Sequence, residues 1–302
     1  MPAGSSLPSP GVGPPSADDE DRHCPPADQA GWEESWDLSF ATAGAALGGY
    51  ARLTLDPGHR RAWYWAALVG RGRPLVIVVD HDLAPPRGRA LDLRGEGLWT
   101  SLTCETPLEH WSVGLEAFGV ALDDPAEAWR SLRGDRAPLG LDLEWEVDGT
   151  AWPAPHPEGY HLPARVHGEV LVGEETLAVD GTGGVTHAWG IRGWGRAWSF
   201  AAARLDDGTG VAGPLDGPPP AAGPSGPPGL PGPGRAALAL GDGRAPLGCA
   251  IAPLYHAPVA VEGPDGAASR LARSLCRYTL ADGRGGVGWV DRNWGTAGAG
   301  GT

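Results

Sequence analysis

The sequence predicts an all-β protein made of two consecutive antiparallel β-barrels and one short helix. Short apolar or aromatic runs are separated by Gly, Pro and Asp, as in antiparallel strands joined by turns. Leu139, Leu141, Leu143, Trp145 and Val147 alternate with small or charged residues, which predicts a strand with one buried and one wet face. Roughly eight such runs fall in each half, and about eight strands close a barrel that can hold one small ligand.

The elements follow in order along the chain. The strand-like runs of the first half include 36–40, 49–55, 62–69, 75–80, 111–117 and 139–147. Asp124 and Pro125 offer an N-cap acid and a proline at the first helical position, so the short helix is expected there. The runs of the second half are 164–172, 175–179, 186–191, 197–205, 235–240, 247–251, 268–280 and 286–291.

Proline and glycine divide the chain. Residues 1–30 are expected to form a disordered tail, and residues 213–234 a flexible Pro/Gly-rich insertion. The proline-bearing stretch that follows residue 151 is typical of a stiff connector. We therefore expect the first barrel over 31–152 and the second over 153–295.

Composition excludes several classes of protein. The net charge of −14 disfavours binding to nucleic acid or to an anionic membrane surface. The chain contains no lysine, which excludes Schiff-base chemistry on a lysine. The 4 cysteines are far apart without a CxxC motif, which favours a reduced, cytoplasmic protein. Neither a signal peptide nor an apolar transmembrane run is evident, so no integral membrane association is expected.

The segment GVTHAWGIRGWGRAWSF is the strongest candidate for a ligand site. His187 and Trp189 share one strand face, whereas Arg192 has the opposite parity. Trp194 and Trp198 follow at even spacing. A titratable imidazole among large rings favours a lined pocket. The alternatives are a core histidine that bonds a neighbouring carbonyl, and an arginine that pairs with a structural acid.

Two further groups of residues are candidates. Glu105 and Glu109 share strand parity and could face one barrel interior as a pair of acids, although Pro107 between them favours an exposed turn. Trp111 belongs to a rich set of tryptophans that would line either a half-polar cavity or an ordinary core.

Metal chemistry finds little support in the sequence. His156, His161 and His167 have a spacing that matches no helical metal motif, so no metal site is expected.

Five segments, in order along the chain, carry a family resemblance: WEESWDLSFATAGAALGGYARLTLDPGHRRAWYWAAL, CETPLEHWSVGLEAFGVALDDP, PLGLDLEWEVDGTAW, RVHGEVLVG and SLCRYTLADGRGGVGWVDRNWG. They resemble the AttH and carotenoid 1,2-hydratase-like superfamily. The patch VTHAWGIRGW is similar to the Arg-Asp-His-Ser-Trp-Gly-x-Arg-Asp-Trp patch of that superfamily, with Thr186 and Gly193 in place of two aspartates. Members are tandem lipocalin-like barrels, and many are actinobacterial proteins of unassigned function. The resemblance therefore implies that both barrels are lipocalin-like.

The resemblance also implies a hydratase, cyclase or isomerase that acts on a hydrophobic isoprenoid or polyketide-like molecule. Such enzymes protonate an alkene with a carboxylic acid and stabilise the cation on aromatic faces. Because Thr186 removes the expected acid, the hypothesis assigns catalysis to His187 or Glu105. The implied substrate-binding residues are Trp189, Arg192, Trp194, Trp198, Trp111 and Glu109. No cofactor is implied.

The alternative function is a binding protein that carries or shields a lipophilic metabolite without turnover. Loss of both patch aspartates favours this alternative, whereas the retained His187, Trp189 and Arg192 favour the enzyme.

Overall fold

The computed structural model describes residues 14–26, 31–156, 158–191, 194, 197–215, 230–241, 243–262 and 268–294. Two closed antiparallel sheets dominate these residues, together with short 3₁₀ helices. The predicted all-β, two-barrel class is confirmed. The predicted short helix is a 3₁₀ helix over Pro125–Trp129, where the Asp124 side chain accepts a hydrogen bond from the Ala126 amide at 3.0 Å.

The first sheet contains strands β1 to β11. They are β1 (Trp32–Thr42), β2 (Leu47–Asp56), β3 (Arg61–Gly70), β4 (Leu75–Leu83), β5 (Leu91–Gly95), β6 (Leu98–Thr106), β7 (His110–Leu122), β8 (Asp135–Val147), β9 (Trp152–Pro153), β10 (Glu158–Val172) and β11 (Glu175–Ile191). The pairing order is β4-β3-β2-β1-β11-β10-β8-β7, and β4 pairs again with β7. This closure makes the first barrel, while β5 and β6 extend the sheet from β7.

The second sheet contains strands β12 to β18. They are β12 (Trp198–Leu205), β13 (Gly210–Gly213), β14 (Gly234–Leu240), β15 (Leu247–His256), β16 (Val259–Glu262), β17 (Ala268–Leu280) and β18 (Gly285–Asn293). The order is β15-β14-β13-β12-β18-β17, and β15 pairs again with β17 to close the second barrel.

The chain changes from one sheet to the other between Ile191 and Trp198, not at the expected residues 152 and 153. The reason is that β11 pairs with β1 along its length and so completes the first barrel. A change at residue 153 would leave the edges of β1 and β8 unpaired. The division into independent domains stays a prediction.

Residues 14–26 lie across one end of the first barrel. The Tyr160 hydroxyl lies 3.4 Å from the Asp19 carbonyl oxygen, and the Leu108 amide donates to Glu20 at 3.1 Å. This part of the expected tail therefore has defined contacts. The rest of the expected tail, and residues 216–229 of the expected insertion, lie outside the described residues.

Three apolar clusters account for the core. One fills the first barrel, one fills the second, and one lies between them. The predicted alternation in β8 is confirmed, since Leu139, Leu141, Leu143 and Trp145 all belong to the core of the first barrel. Within the described part of the chain, none of the helices has the length and apolar character needed to cross a membrane.

Candidate functional site

Strand β1 presents two different polar faces. Trp36 packs in the first barrel, and Glu34 shares its parity. Asp37 has the opposite parity and meets Arg273 of the second barrel. The same division holds on β11, where His187 contacts Glu34 while Thr186 lines a cavity between the barrels. Residues adjacent in sequence therefore belong to two separate sites.

The first site is a carboxylate–histidine cluster made of His23, Glu34, Tyr160 and His187 at one end of the first barrel. His23 Nδ1 lies 2.8 Å, and His187 Nε2 2.9 Å, from Glu34 Oε1. His187 Nδ1 lies 3.4 Å from the Tyr160 hydroxyl. The potential ligand atoms of His23, Glu34 and His187 all lie within 4.8 Å of one another, so these three residues could hold a metal ion.

His187 is enclosed on every side. It is 0% exposed, stacks on Trp36 at a centroid distance of 4.6 Å, and lies 5.0 Å from Trp189. A cavity of about 270 Å³ adjoins the cluster, but it is lined by His23 and Glu34 rather than by His187. Because both ring nitrogens face partners, His187 connects residues of the cluster and does not itself line this cavity.

The second site is a cavity of about 50 Å³ between the barrels. It is lined by charged or polar side chains and by three aromatic ones. The lining includes Asp37, Arg52, His161, Thr186, Arg273 and Asp291, with Trp152, Phe200 and Trp289. A small polar cavity with aromatic walls suits the polar part of an otherwise apolar ligand.

Arg273 separates the two carboxyl groups of this inter-barrel cavity. Its Nη1 and Nη2 donate to Asp37 at 2.6 and 2.9 Å, and its Nε donates to Asp291 at 2.9 Å. Burial would raise the pKa of Asp37, but the charge and hydrogen bonds of Arg273, joined by Arg52, hold that pKa below its usual value. Burial raises the pKa of Asp291, and the negative charge of Asp37 raises it further. The positive charge of Arg273 lowers this pKa but does not cancel the increase. The environment thus pushes the two pKa values apart.

Two other side chains that line the cavity, His161 and Arg52, could bind a ligand. Burial lowers the pKa of His161 to about 4, and its Nδ1 lies 2.8 Å from the Thr186 hydroxyl. The imidazole is therefore neutral at pH 7. Arg52 is 4% exposed, and its Nη2 has no hydrogen-bond partner among the described residues. A buried guanidinium nitrogen without a partner is costly, so this atom is a candidate to bind a ligand oxygen.

An indole cluster adjoins the cavity through Arg52, whose guanidinium lies 5.4 Å from Trp65 and 5.8 Å from Trp194. The Trp194 indole donates to both Glu33 oxygens at 3.1 Å, and Trp198 lies 6.2 Å from Trp194. Burial raises the pKa of Glu33 to about 7. Glu33 does not line the inter-barrel cavity.

The structure distributes the site residues predicted from the sequence over several places. His187, Trp189 and Trp111 lie in or against the core of the first barrel, and Trp194 and Trp198 pack between the barrels. Glu105 and Glu109 are exposed near the β6–β7 turn. Arg192 lies outside the described residues.

Sequence analysis missed His23, Glu34, Asp37 and the Arg273–Asp291 pair. One signal was present: the charged Asp37 lies between Trp36 and Leu38, which is unusual for a strand covered on both faces. His23 carried no signal, since it falls in a segment expected to be disordered.

Comparison with known proteins identifies the family. The family model described as "Domain of unknown function (DUF7064)" matches residues 16–220, and the chain belongs to this family. The comparison with curated proteins gives no match.

Solved structures share the fold at low sequence identity. A crystal structure described as AttH from Nitrosomonas europaea has a TM-score of 0.56 at 12% identity, over 96% of this chain and 99% of that chain. CghA has a TM-score of 0.50 at 11% identity, over 89% and 90% of the two chains. Kievitone hydratase from Nectria haematococca has a TM-score of 0.47 at 12% identity, over 95% of each chain. The fold is the AttH-like tandem barrel that the sequence resemblance predicted.

Proposed function

We propose that this DUF7064-family protein is a hydratase- or isomerase-type enzyme that acts on a hydrophobic small molecule between its two barrels. The observation that supports the proposal is the Asp37–Arg273–Asp291 arrangement in the inter-barrel cavity. Two carboxyl groups whose pKa values are pushed apart can divide acid and counter-ion roles between them.

Asp291 is the proton donor in this proposal. Its raised pKa favours the protonated form, and it faces the cavity beside aromatic side chains. It transfers its proton to an alkene carbon, and water adds to the resulting cation. The water then returns a proton to the Asp291 carboxylate, so that the acid is regenerated. In an isomerase, the Asp291 carboxylate would instead take a proton from the carbon next to the cation, which forms the new double bond and regenerates the acid.

Asp37 remains ionised and stabilises the developing positive charge. Its lowered pKa keeps it charged, and its bidentate pairing with Arg273 fixes its position. Phe200 and Trp289 offer aromatic faces to the same cation. The Trp289 indole is itself fixed by donating to the Phe40 carbonyl at 2.9 Å.

This assignment accounts for the aspartate that the resemblance expects at position 186. Thr186 faces the inter-barrel cavity, so an aspartate at that position would point into the same space that Asp291 lines. Asp291 thus supplies a carboxyl group that Thr186 does not. Glu105 and Glu109 have no role in the proposal because they are exposed away from the cavity.

The test is a panel of linear isoprenoid and polyketide-like alkenes incubated with the full chain in D₂O and followed by mass spectrometry. We expect addition of water or incorporation of deuterium, and about a 100-fold slower rate for Asp291→Asn. Glu105→Gln is the matched control, since it neutralises an exposed acid. Equal rates for wild type and Asp291→Asn would contradict the proposal.

A second candidate function is non-catalytic binding of a lipophilic metabolite. The cavity of about 270 Å³ beside His23 and Glu34 favours it, because Trp32, Leu55 and several prolines form an apolar part of its wall. Native mass spectrometry of the purified protein would then show a bound molecule that stays unchanged on long incubation.

A further inference from the structure

We propose that His23, Glu34 and His187 form a binding site for a divalent transition-metal ion such as Zn²⁺, at the end of the first barrel. The three side chains come from the N-terminal segment, β1 and β11. Two imidazoles and one carboxylate are a donor set that zinc and non-haem iron prefer. The site is separate from the inter-barrel cavity, so this inference does not depend on the proposed function.

The convergence of two ring nitrogens on one oxygen is the first argument. His23 Nδ1 and His187 Nε2 approach Glu34 Oε1 at 2.8 and 2.9 Å. The His23 amide also donates to both oxygens of that carboxylate, at 3.0 and 3.2 Å, and fixes its orientation. Donor atoms around a tetrahedral zinc ion lie about 3.3 Å apart, so roughly 0.5 Å of outward movement would admit the ion.

The hydrogen bonds behind His187 are the second argument. The Tyr160 hydroxyl lies 3.4 Å from both the Asp19 carbonyl oxygen and His187 Nδ1. A carbonyl can only accept, so a hydroxyl that donates to Asp19 must accept from Nδ1–H of His187. In that tautomer Nε2 directs its lone pair at the Glu34 oxygen, inside a site where Glu34 is 1% and His187 0% exposed. Two facing lone pairs need a cation between them, either a proton on Nε2 or a metal ion, and the metal titration below distinguishes the two.

Tyr160 is then the outer partner that orients His187. Metal-bound histidines almost always donate their second ring N–H to such a group. The cavity of about 270 Å³ lined by His23 and Glu34 leaves space for water on the remaining coordination positions. Three protein ligands with an open position are typical of catalytic rather than structural zinc sites.

The experiment uses the untagged full chain after treatment with a chelator. Titration with Zn²⁺ by calorimetry should give one ion per chain, and Co²⁺ should give the visible absorption of a low-symmetry site. We expect His23→Ala and Glu34→Gln to weaken binding by at least about 100-fold, and Tyr160→Phe by about 10-fold. His167→Ala is the matched control, because His167 is exposed and also lies near two acids, Glu144 and Glu146.

His23→Ala keeps the test decisive if Glu34→Gln does not fold, because the His23 side chain on the N-terminal segment is 24% exposed, whereas Glu34 is buried. Failure of wild type to bind one equivalent of Zn²⁺ or Co²⁺ would overturn the proposal. Equal affinity in wild type and folded His23→Ala would overturn it as well. Either result would leave the Asp291 experiment unaffected, since that experiment measures turnover at the other site.

Discussion

Arg273 of the second barrel binds Asp37 of the first barrel through two hydrogen bonds of 2.6 and 2.9 Å. The two residues lie 236 positions apart in the sequence, and both are buried. This pair therefore joins the barrels at the place where the inter-barrel cavity lies. Its loss is expected to affect both stability and the proposed chemistry.

Asp37→Asn should lower the free energy of unfolding by about 3 kcal/mol. The substitution removes the carboxylate that accepts two hydrogen bonds from the buried Arg273, and breaking a buried ion pair from one side is strongly destabilising. Urea denaturation followed by tryptophan fluorescence measures the change. The exposed Arg130–Glu127 pair provides a control, since Glu127→Gln should change the free energy by less than about 1 kcal/mol. Equal effects of the two substitutions would show that the Asp37–Arg273 pair does not stabilise the junction.

Stability should decrease as the pH falls from 6.5 to about 4. Burial lowers the pKa of both His156 and His161 to about 4, whereas an unfolded histidine titrates near 6.5. Between these values the unfolded chain binds more protons, so acid favours unfolding; above pH 6.5 the contribution is fully present. The charge of Arg52 lowers the pKa of His156 further, whereas the charge of Asp37 partly raises the pKa of His161.

The melting temperature measured from pH 6.5 to about 4 tests the expected loss of stability. His161→Gln should flatten the dependence on pH by removing one of the two groups. A wild-type melting temperature that stays constant from pH 6.5 to 4 would contradict the burial argument.

Gly183→Ala should destabilise the first barrel by about 3 kcal/mol or more. Gly183 lies opposite Phe40 in the β1–β11 pairing, and a Cβ there would collide with the Ser39 carbonyl oxygen. Gly248→Ala is the control, because a Cβ at that position meets nothing within 4 Å. Urea denaturation of the two variants measures the loss in the free energy of unfolding. Near-equal stability would show that β1 and β11 do not pair as described.

The rate of the proposed reaction should fall as the pH rises above the pKa of Asp291. Protonated Asp291 is the reactive form, and its pKa lies above the usual aspartate value because burial and Asp37 outweigh Arg273 and Arg52. The rate of conversion of an active substrate, measured as a function of pH, shows this decrease as the descending limb of the profile. Replacing Asp37 with Asn should move the limb to lower pH, since it removes the neighbouring negative charge. A rate that does not fall as the pH rises well above the usual aspartate pKa would contradict the assignment of Asp291.

Local patterns in the sequence were sufficient to predict the class of fold. The alternation through Leu143 and Trp145 predicted a half-buried strand, and both residues are 0% exposed. The Asp124 cap was equally visible, because a helix start depends on residues only two or three positions apart. Such features need no knowledge of distant partners.

The candidate site was not visible in the same way. His187 and Thr186 are neighbours, yet the two-residue period of a strand sends one into the first barrel and the other into the inter-barrel cavity. The sequence pattern of this patch predicts one pocket, whereas the pairing of β11 with β1 divides the patch between two sites.

By itself, the sequence determined that the chain forms short amphipathic strands and resembles an AttH-like tandem barrel, because alternation and motif order are local properties. Only the tertiary structure decided which strands close each barrel, and hence that Asp37 meets Arg273 and Asp291, and that His23 meets Glu34 and His187. Strand pairing over such separations depends on the total burial and hydrogen bonding of the closed sheets. No single segment of the chain specifies those contacts.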